Sequence, residues 1–362
     1  MKKKMLFILL VLLGLSWGQI LWAQPIIKNP ATPRSGHWAG RQLELIKLLS
    51  ISDEGQSQFF FSFPGRVAVA SDGSIFKTDE GALFKFSPEG RFLGSLLTHG
   101  QGPGEISKYI HIHLQGDKIW VLDYLQQKLF IIDLEGRLLK EIRSLPSINF
   151  FCGLKDNQPL FAIEKWPPLK ERKSRLHNII KKICLFSPET KNLREIFSFS
   201  FKRFLIAGGG AMNWEPAITE LSPDGRLLFI NSSQEYRISV VDLEQGQVKF
   251  IFTRPYQRVK HKLSAIEKEF IKKHKAPPKK YKNDIQTIIA WPERIWVKTS
   301  TVDPKKGRLY DVFDFEGHYL DCFYLPADLH PEWLEKDILY ATKTDPDGSI
   351  YIVKYKIANL KP

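Results

Sequence analysis

The chain has 362 residues, of which 43% are hydrophobic and 25% charged, with a formal net charge of +14. These values exclude an intrinsically disordered chain and indicate a folded protein of one large domain or two ordinary ones. The 25 Phe, 11 Tyr and 9 Trp residues favour β-structure, because aromatic side chains suit a pleated, half-buried surface.

The N-terminus carries the pattern of a secretory signal peptide over residues 1–23. A basic start, Lys2–Lys4, precedes the apolar run "MLFILLVLLGL" (5–15), and the small residue Ala23 offers a cleavage site. An uncleaved anchor is the alternative, because residues 5–23 are almost long enough to cross a bilayer. We therefore expect an exported protein, periplasmic or extracellular, with no transmembrane segment in the mature chain.

Export changes the partners that suit a basic chain. Nucleic acid becomes a poor match, whereas anionic polysaccharide, lipid headgroups or an acidic protein fit the positive charge. Solubility alone is the alternative explanation of that charge. The three cysteines, Cys152, Cys184 and Cys322, lie among apolar neighbours and predict buried thiols rather than a disulfide framework, with a Cys152–Cys184 bridge as the alternative.

Two recurring patterns divide the rest of the chain into six units. The first is a polar turn followed by a short apolar strand: "SDGSIFKTD" (71–79), "QGDKIWVLD" (115–123), "KDNQPLFAI" (155–163), "SPDGRLLFI" (222–230), "WPERIWVKT" (291–299) and "DPDGSIYIV" (345–353). The second is another turn between apolar strands, and it follows each of the first five: "FSPEGRFL" (86–93), "IDLEGRLL" (132–139), "FSPETKNL" (186–193), "VDLEQGQV" (241–248) and "FDFEGHYL" (313–320). Each unit is therefore predicted to be a four-stranded antiparallel meander, the blade of a β-propeller.

These units predict an all-β fold, a six-bladed β-propeller over residues 41–362 that follows an N-terminal extension over residues 24–40. The sixth unit has no second turn pattern before the sequence ends, so another strand must complete its blade. The run "RQLELIKLL" (41–49) belongs to no unit. We expect this N-terminal strand to close the last blade and so remove an unpaired sheet edge.

The segment "GQGPGEISKYIHIHLQGDKIWVLDYLQQKLFIIDLEGRLLKEI" (100–142) resembles an NHL repeat, in which a glycine-rich corner leads to an inner strand and two hairpins. The chain is similar to exported six-bladed NHL-like propellers of bacteria, whose mark is a Gly-x-Gly-Pro-Gly-Glu corner. The resemblance covers most of the mature chain as architecture and is sharp only in the first two blades. It implies the fold and, because such relatives are mostly uncharacterised, no particular function.

In such a meander, the loops between the second and third strands and the links between blades emerge on one face. That face carries the irregular sequence of this chain. The corner "THGQGPGEI" (98–106) links blades one and two, residues 201–217 link blades three and four, and basic insertions occupy 165–182 and 254–282. Long loops collected on one side of a rigid scaffold are common binding sites.

The insertion at 254–282, between blades four and five, is predicted to contain one short helix. Ser264 and Glu267 match a capping box, and Pro277 follows the helix. The apolar side chains fall on one helical face, which we expect to pack on the propeller rim: Leu263, Ile266, Phe270 and Ile271. The insertion has 11 Lys or Arg against 2 Glu, which indicates a landing patch for an anionic partner, with a solvated helix face as the alternative.

The leading hypothesis is an exported, non-catalytic, monomeric propeller that binds a protein, peptide or anionic glycan of the cell envelope on its loop-rich basic face. It requires no cofactor. The candidate binding residues lie in the loops of that face: Gln101, Glu105, Asp123, Tyr124, Trp166, Arg203, Asn213, Trp214, Lys272 and Lys273.

A metal-dependent lyase or hydrolase at the central channel is the alternative function. His111 and His113 are predicted on the inner strand of blade two, two residues apart and therefore pointing the same way. With a third ligand, first sought among His99, Glu105 and Asp123, they could hold a divalent metal such as zinc or calcium. Some NHL-like propellers hold a metal in the channel for lyase chemistry. Histidines that only satisfy hydrogen bonds are the competing explanation.

Other motifs for chemistry are weak. Asp79 and Asp123 end a strand in the first two blades, where a carboxylate more often accepts backbone amides than binds a ligand. The glycine-rich stretch "AGGGAMNW" (207–214) lacks the lysine and the strand-to-helix context of a phosphate-binding loop. The sequence also contains no Gly-x-Ser-x-Gly motif of serine hydrolases.

Overall fold

The structure is a computed structural model that describes residues 24–63, 65–207 and 209–360. The predicted signal peptide, residues 1–23, lies outside the described residues. The described chain folds as an all-β, six-bladed propeller of mostly four-stranded antiparallel blades with one short α-helix. This confirms the predicted fold class.

The N-terminal segment contributes three strands before the first complete blade begins. These are β1 (Ile26–Lys28), β2 (Arg41–Gln42) and β3 (Leu45–Ile51), with a 3-10 helix at Gly36–Trp38. They run along the rim, where β1 and β2 pair in parallel with the outer strands of blades four and five. Residues 24–40, for which the sequence predicts only an extension, are therefore tied to the propeller.

Blades one to three follow in chain order. Blade one contains β4 (Val67–Val69), β5 (Ile75–Asp79), β6 (Ala82–Phe86) and β7 (Phe92–Ser95). Blade two contains β8 (Ile110–Gln115), β9 (Lys118–Asp123), β10 (Lys128–Asp133) and β11 (Leu138–Ile142). Blade three contains β12 (Phe150–Lys155), β13 (Gln158–Lys165), a 3-10 helix at Leu169–Glu171, β14 (Arg175–Phe186), β15 (Leu193–Leu205) and an added strand, β16 (Ala211–Asn213).

Blades four to six complete the ring. Blade four contains β17 (Ile218–Leu221), β18 (Leu227–Asn231), β19 (Arg237–Asp242) and β20 (Gln247–Thr253), and helix α1 (Ala265–His274) follows it. Blade five contains β21 (Ile285–Ala290), β22 (Ile295–Asp303), β23 (Gly307–Phe313) and β24 (Tyr319–Leu325). Blade six contains β25 (Leu329–Glu335), β26 (Ile338–Thr344) and β27 (Ile350–Ile357), and β3 is its fourth strand.

The first strand of every blade lines a central channel, and the blades pack face to face around it. Alternate residues of each strand point towards one neighbouring blade or the other, so apolar side chains meet between blades. Phe76 of blade one packs with Phe130 of blade two, and Trp296 of blade five packs with Leu339 of blade six. Each fully buried side chain of this kind stabilises the fold by about 1.5–3 kcal/mol.

The predicted closure by the N-terminal strand is present. β3 pairs antiparallel with β27, from Ile51 opposite Ile352 to Leu45 opposite Ile357. Further along the rim, Asn29 is 8% exposed, and its side chain donates to the Gly317 carbonyl at 2.8 Å and accepts from the Tyr319 amide at 2.8 Å. These bonds hold the N-terminal segment against blade five.

The sixth blade differs from the prediction in its strand assignment. The turn in "DPDGSIYIV" (345–353) joins the second and third strands, β26 and β27, rather than the first and second. The turn that joins β25 to β26 is Lys336–Asp337, where Lys336 adopts a left-handed φ of 56°. The Asp-Pro-Asp-Gly sequence at 345–348 is the stronger turn signal, so the repeat pattern aligns on it rather than on Lys336–Asp337.

A buried charged cluster joins blades four and five. Asp311, at 0% exposure, accepts hydrogen bonds from Arg254 at 2.6 Å, from the Tyr236 hydroxyl at 2.8 Å and from the Tyr319 hydroxyl at 2.8 Å. Arg254 is the first residue after β20, so the cluster also anchors the start of the basic insertion. Burial raises the pKa of the Asp311 carboxyl, while the Arg254 guanidinium opposes that rise.

We predict that Asp311→Ala destabilises the protein by about 3–5 kcal/mol, because Arg254 is left as a buried charge without its partner. Urea unfolding of the full chain followed by fluorescence gives the free energy of unfolding. Asp347→Ala is the matched control, since the Asp347 carboxylate is exposed and accepts only from the Ser349 amide. Equal losses in the free energy of unfolding of the two variants would contradict the conclusion that Asp311 joins blades four and five.

Candidate functional site

The longest connections of the propeller emerge on one face, as the sequence predicts. The links at 52–66, 96–109, 206–217 and 254–284 leave the outer strand of one blade and enter the inner strand of the next. On the opposite face, the covalent turns within the blades have two to six residues. We refer to the face with the long links as the loop-rich face.

The glycine-rich corner at 98–106 is structural. The Glu105 carboxylate accepts a hydrogen bond from the Gly102 amide at 2.6 Å, and Gln126 donates to the Gly100 carbonyl at 2.7 Å. A Cβ at Gly100 would lie 2.0 Å from Oε2 of Glu105, so a larger residue there would displace that carboxylate. The Glu105 carboxylate is therefore bonded within the corner, whereas the Gln101 side chain is exposed.

Asp123 and Tyr124 lie at the end of β9 beside this corner. Asp123 is fully buried and accepts from the Ser107 amide at 2.5 Å, the Ser107 hydroxyl at 2.8 Å and the Gln126 amide at 2.9 Å. Asp79 occupies the same place in blade one and accepts from the Ser62 and Glu80 amides. Both carboxylates fasten loops, and Asp123 is not available on the surface as a ligand-binding group.

Tyr124 is half-buried. Its ring centre lies 5.5 Å from that of His111, and its side chain packs against the apolar cluster that contains Trp120 and Leu122. Of the four candidate binding residues in the first two blades, Gln101 alone is exposed on the loop-rich face.

A second group of candidate residues meets on blade three. Trp166 donates to the Glu164 carboxylate at 3.2 Å, and the Arg203 guanidinium lies 4.7 Å from the Trp166 ring centre and 3.3 Å from the Glu164 carboxylate. Asn213 is exposed and pairs with Arg203 across strands β15 and β16. The structure therefore brings together Trp166, Arg203 and Asn213, which are distant in sequence.

The local structure of this region differs from the prediction. Residues 165–182 and 201–217, predicted as a loop and a link between blades, are about half strand, since β14 begins at Arg175 and β15 continues to Leu205. The reason is the alternation in "IFSFSFKRF" (196–204), which places Phe201 in a buried position on the blade face. The loop of blade three is restricted to residues 166–174.

Helix α1 has the predicted cap and a different orientation. Ser264 accepts from the Glu267 amide and the Glu267 carboxylate accepts from the Ser264 amide, which completes the capping box. Ile266 is 80% exposed rather than packed on the rim, and no residue of the helix is buried. Phe270 provides one contact to the blade, with its ring centre 6.2 Å from that of Phe204.

The basic insertion divides its charges between two roles. Arg254 and Arg258 form ion pairs with Asp311 and Asp284, which fix the base of the insertion. Lys279 lies over the Trp214 ring at 5.6 Å and so connects the insertion to blade three. Eight other lysines are exposed and, within the described residues, form no ion pair: Lys260, Lys262, Lys268, Lys272, Lys273, Lys275, Lys280 and Lys282.

A groove of about 300 Å³ separates helix α1 from blades three and five. Its walls include Asn213 of β16, Ile271 of the helix, and His261 and Lys279 of the insertion. The central channel, of about 1150 Å³, shares Asn213, Asn283 and Gln286 with this groove. Because the two cavities share these residues, the groove beside helix α1 adjoins the channel.

The channel contains ionisable groups that the sequence reasoning missed. Burial raises the pKa of Glu220 and of Glu332 to about 7, with the Arg66 charge opposing both shifts. Both glutamates interrupt apolar inner strands, in "ITEL" (218–221) and "LHPEWLE" (329–335), and this interruption is the signal that could have identified them. Arg66 stands just before β4 with no ion pair in the described part of the chain.

His111 and His113 both face this channel, as predicted from their spacing. Burial lowers the pKa of each imidazole to about 4, and the Arg66 charge contributes to the shift. The proposed third ligands lie elsewhere: Asp123 and Glu105 bind loop amides, and the His99 ring packs against Gly81. Among residues 24–63, 65–207 and 209–360, no group of three His, Cys, Asp or Glu side chains is placed to hold a metal ion.

The cysteines are free thiols. Cys184 and Cys322 are buried, and Cys152 is half-buried beside the channel. Burial raises the pKa of the Cys152 thiol to about 11, so it stays protonated at neutral pH. The Cys152–Cys184 bridge, considered as an alternative, is not formed.

Comparison with known proteins supports the architecture. The family DUF5128, a 6-bladed beta-propeller family, matches residues 45–201, less than half of the chain. A predicted exported protein from Bacteroides fragilis NCTC 9343 superposes with a TM-score of 0.53 at 12% identity, covering 92% of this chain and 100% of that chain. A DUF4221 family member from Bacteroides vulgatus ATCC 8482 gives a TM-score of 0.52 at 12% identity, with coverage of 88% and 99%.

At this level of identity the similarity shows the fold alone. No curated protein matches the chain. The NHL resemblance of the first two blades stays a prediction. Of the residues that the structure describes, no helix has the length and apolar character needed to cross a membrane.

We predict that His111 and His113 stay neutral until the pH falls to about 4. The unfolded chain protonates these imidazoles near pH 6.5, so the stability that they contribute is lost as the pH falls from about 6.5 to about 4. NMR titration of the histidine ring protons, assigned with His111→Gln and His113→Gln, measures both values. The urea-unfolded protein serves as the internal control, and folded-state titration near 6.5 would refute the buried, uncharged assignment.

Proposed function

We propose that the chain is an exported, non-catalytic propeller that binds an anionic partner of the cell envelope, a glycan, peptide or protein, on its loop-rich face. The observation that carries this proposal is the continuity of three features on that face. The exposed lysines of the insertion, the groove beside helix α1 and the mouth of the channel adjoin one another. A rigid scaffold that presents a charged, concave surface is suited to binding.

The charge distribution supports an anionic ligand. The eight exposed lysines of the insertion have no acidic partner in the described structure, and only Glu269 of helix α1 adds an exposed carboxylate among them. Unneutralised charge of one sign raises the local concentration of the opposite sign and increases association rates. The candidate residues Trp166, Arg203, Asn213 and Trp214 lie on the blade that borders this patch and would add stacking and hydrogen bonds.

Export is supported by the leader-like sequence of residues 1–23. The Bacteroides fragilis structure with the same fold belongs to a protein predicted to be exported. We propose that the protein is monomeric, because the ring closes on itself and the outermost strands of blades three, four and five have only three, three and two residues.

We predict that replacing Lys268, Lys272, Lys273 and Lys275 together by glutamine weakens binding of polygalacturonate about tenfold. At roughly 0.3–0.5 kcal/mol for each exposed charge, four charges give a change of this size. Isothermal titration calorimetry at about 0.05 M and about 0.5 M salt measures affinity and its salt dependence, which the variant should reduce.

The matched control replaces four lysines that also lack ion pairs but lie away from the loop-rich face: Lys47, Lys118, Lys249 and Lys336. This second variant has the same net charge as the first. If both variants lose affinity equally, the effect is one of net charge and the landing patch is refuted. If neither loses affinity, the insertion does not contact the polysaccharide.

The metal-dependent lyase or hydrolase is the second candidate, favoured by the presence of His111 and His113 on one channel wall. It requires a third ligand that the described residues do not place beside them. We expect purified protein to contain less than one equivalent of zinc or calcium by mass spectrometry of metals, with His111→Ala indistinguishable from the natural chain. Stoichiometric metal that His111→Ala removes would establish the metal site and overturn the non-catalytic proposal.

A further inference from the structure

A cluster of basic side chains lies at the junction of blades five and six, where Lys298 and His330 line the channel. The Lys298 ammonium of β22 is 3.5 Å from Nδ1 of His330, the second residue of β25. Arg308, the second residue of β23, has a charge that acts on both Lys298 and His330. Within the described residues, neither Lys298 nor Arg308 forms an ion pair with a carboxylate. Because burial lowers the pKa of His330, its neutral imidazole accepts from Lys298, and neither Lys298 nor Arg308 has an anionic partner in the part of the chain that the structure describes.

The strand register explains why these side chains meet. Lys298 stands directly opposite Tyr310 in the β22–β23 ladder, and Arg308 precedes Tyr310 by two residues. Residues opposite one another, and residues two apart, lie on the same face of a sheet. That face of blade five packs against blade six, since Tyr310 belongs to the same core cluster as Leu339 and Ala341.

Two polar groups in this cluster are buried without a partner. Tyr310 is 1% exposed, and its hydroxyl has no hydrogen-bond partner although the side chain lines the channel. The Nε of Arg308 is likewise buried and unpaired. Buried donors are almost always satisfied in folded proteins, so two neighbouring unsatisfied donors beside cations that lack an anionic partner indicate a missing acceptor.

We infer that this wall of the channel is a binding site for a small oxyanion, a carboxylate, sulfate or phosphate group. Lys298 and Arg308 supply the charge, and the Tyr310 hydroxyl donates a hydrogen bond. Charged donors and a neutral hydroxyl that converge on one point are the usual means of holding an oxyanion. The site deepens the proposed function, because it would hold an acidic group of the ligand that the loop-rich face receives, but it lies on blades five and six and not on helix α1.

The charges around the site make binding dependent on pH in one direction. Glu332 of β25 faces Lys298 and Tyr310, and burial raises its pKa to about 7. Burial also lowers the pKa of Lys298 to about 8 and lowers that of His330, near which Asp328 stands as the opposing charge. As the pH rises from about 6 to about 9, Glu332 gains a negative charge and Lys298 loses its positive charge. Both changes oppose an anion, so affinity should fall across this range.

The test is titration of the full chain with inorganic phosphate, sulfate and acetate, followed by NMR or calorimetry. We expect at least one of these ions to bind, with affinity at least tenfold weaker in Lys298→Gln, which loses a charged donor, and about 3–10-fold weaker in Tyr310→Phe, which loses a neutral one. Lys298→Arg should retain binding. Tighter binding of phosphate or sulfate identifies a tetrahedral group, and tighter binding of acetate identifies a carboxylate.

Lys354→Gln is the matched control, because Lys354 is a half-buried lysine of blade six that lies over the Tyr340 ring and has no ion pair in the described structure. Tyr310→Phe should not lower the free energy of unfolding, which separates loss of a ligand contact from loss of structure. The inference is overturned if none of the three ions binds, or if Lys298→Gln and Tyr310→Phe bind as the natural chain does. Failure of the lysine variants of helix α1 would leave this result unaffected, so the two proposals are tested separately.

Discussion

The ring of six blades depends on the pairing of β3 with β27, which joins the two ends of the described chain. Without β3, the outer edge of blade six would be unpaired and the apolar contact of Ile51 with Phe86 and Ile352 would be lost from the seam between blades six and one. The same N-terminal segment first passes along blades four and five as β1 and β2. The segment from β1 to β3, of about 26 residues, thus pairs with three of the six blades, four, five and six.

Closure also determines where function can lie. Six blades around one axis leave a channel whose walls are the inner strands, and the low dielectric of those walls alters the charges that they carry. Burial raises the pKa of Glu220 and of Glu332 to about 7, and Arg66 lines the same channel. The channel therefore combines basic side chains with carboxyl groups that are only partly ionised near neutral pH. This electrostatic balance, together with the lysines at its rim, is the common basis of the two binding proposals.

The sequence predicted the fold well because polar turns between apolar strands repeat at blade spacing. It misassigned the strands of blade six because Asp-Pro-Asp-Gly (345–348) is a stronger turn signal than Lys336–Asp337. The binding site stays a prediction. Of its candidate residues, Trp166 and Arg203 lie in contact on blade three, whereas Asp123 is a buried carboxylate that accepts loop amides. The cluster of Lys298, Arg308 and Tyr310 could not be found from sequence, because it depends on strand register and on packing between two blades.

The construction of the basic insertion separates recognition from stability. Arg254 and Arg258 at its base are tied to buried carboxylates, and Ala276 is buried beyond the helix, whereas helix α1 itself contains no buried residue. Substitutions on the helix surface should therefore cost the propeller little stability. Natural sequence drift could then change the charge pattern of the helix, and with it the preferred ligand, while the six blades stay the same.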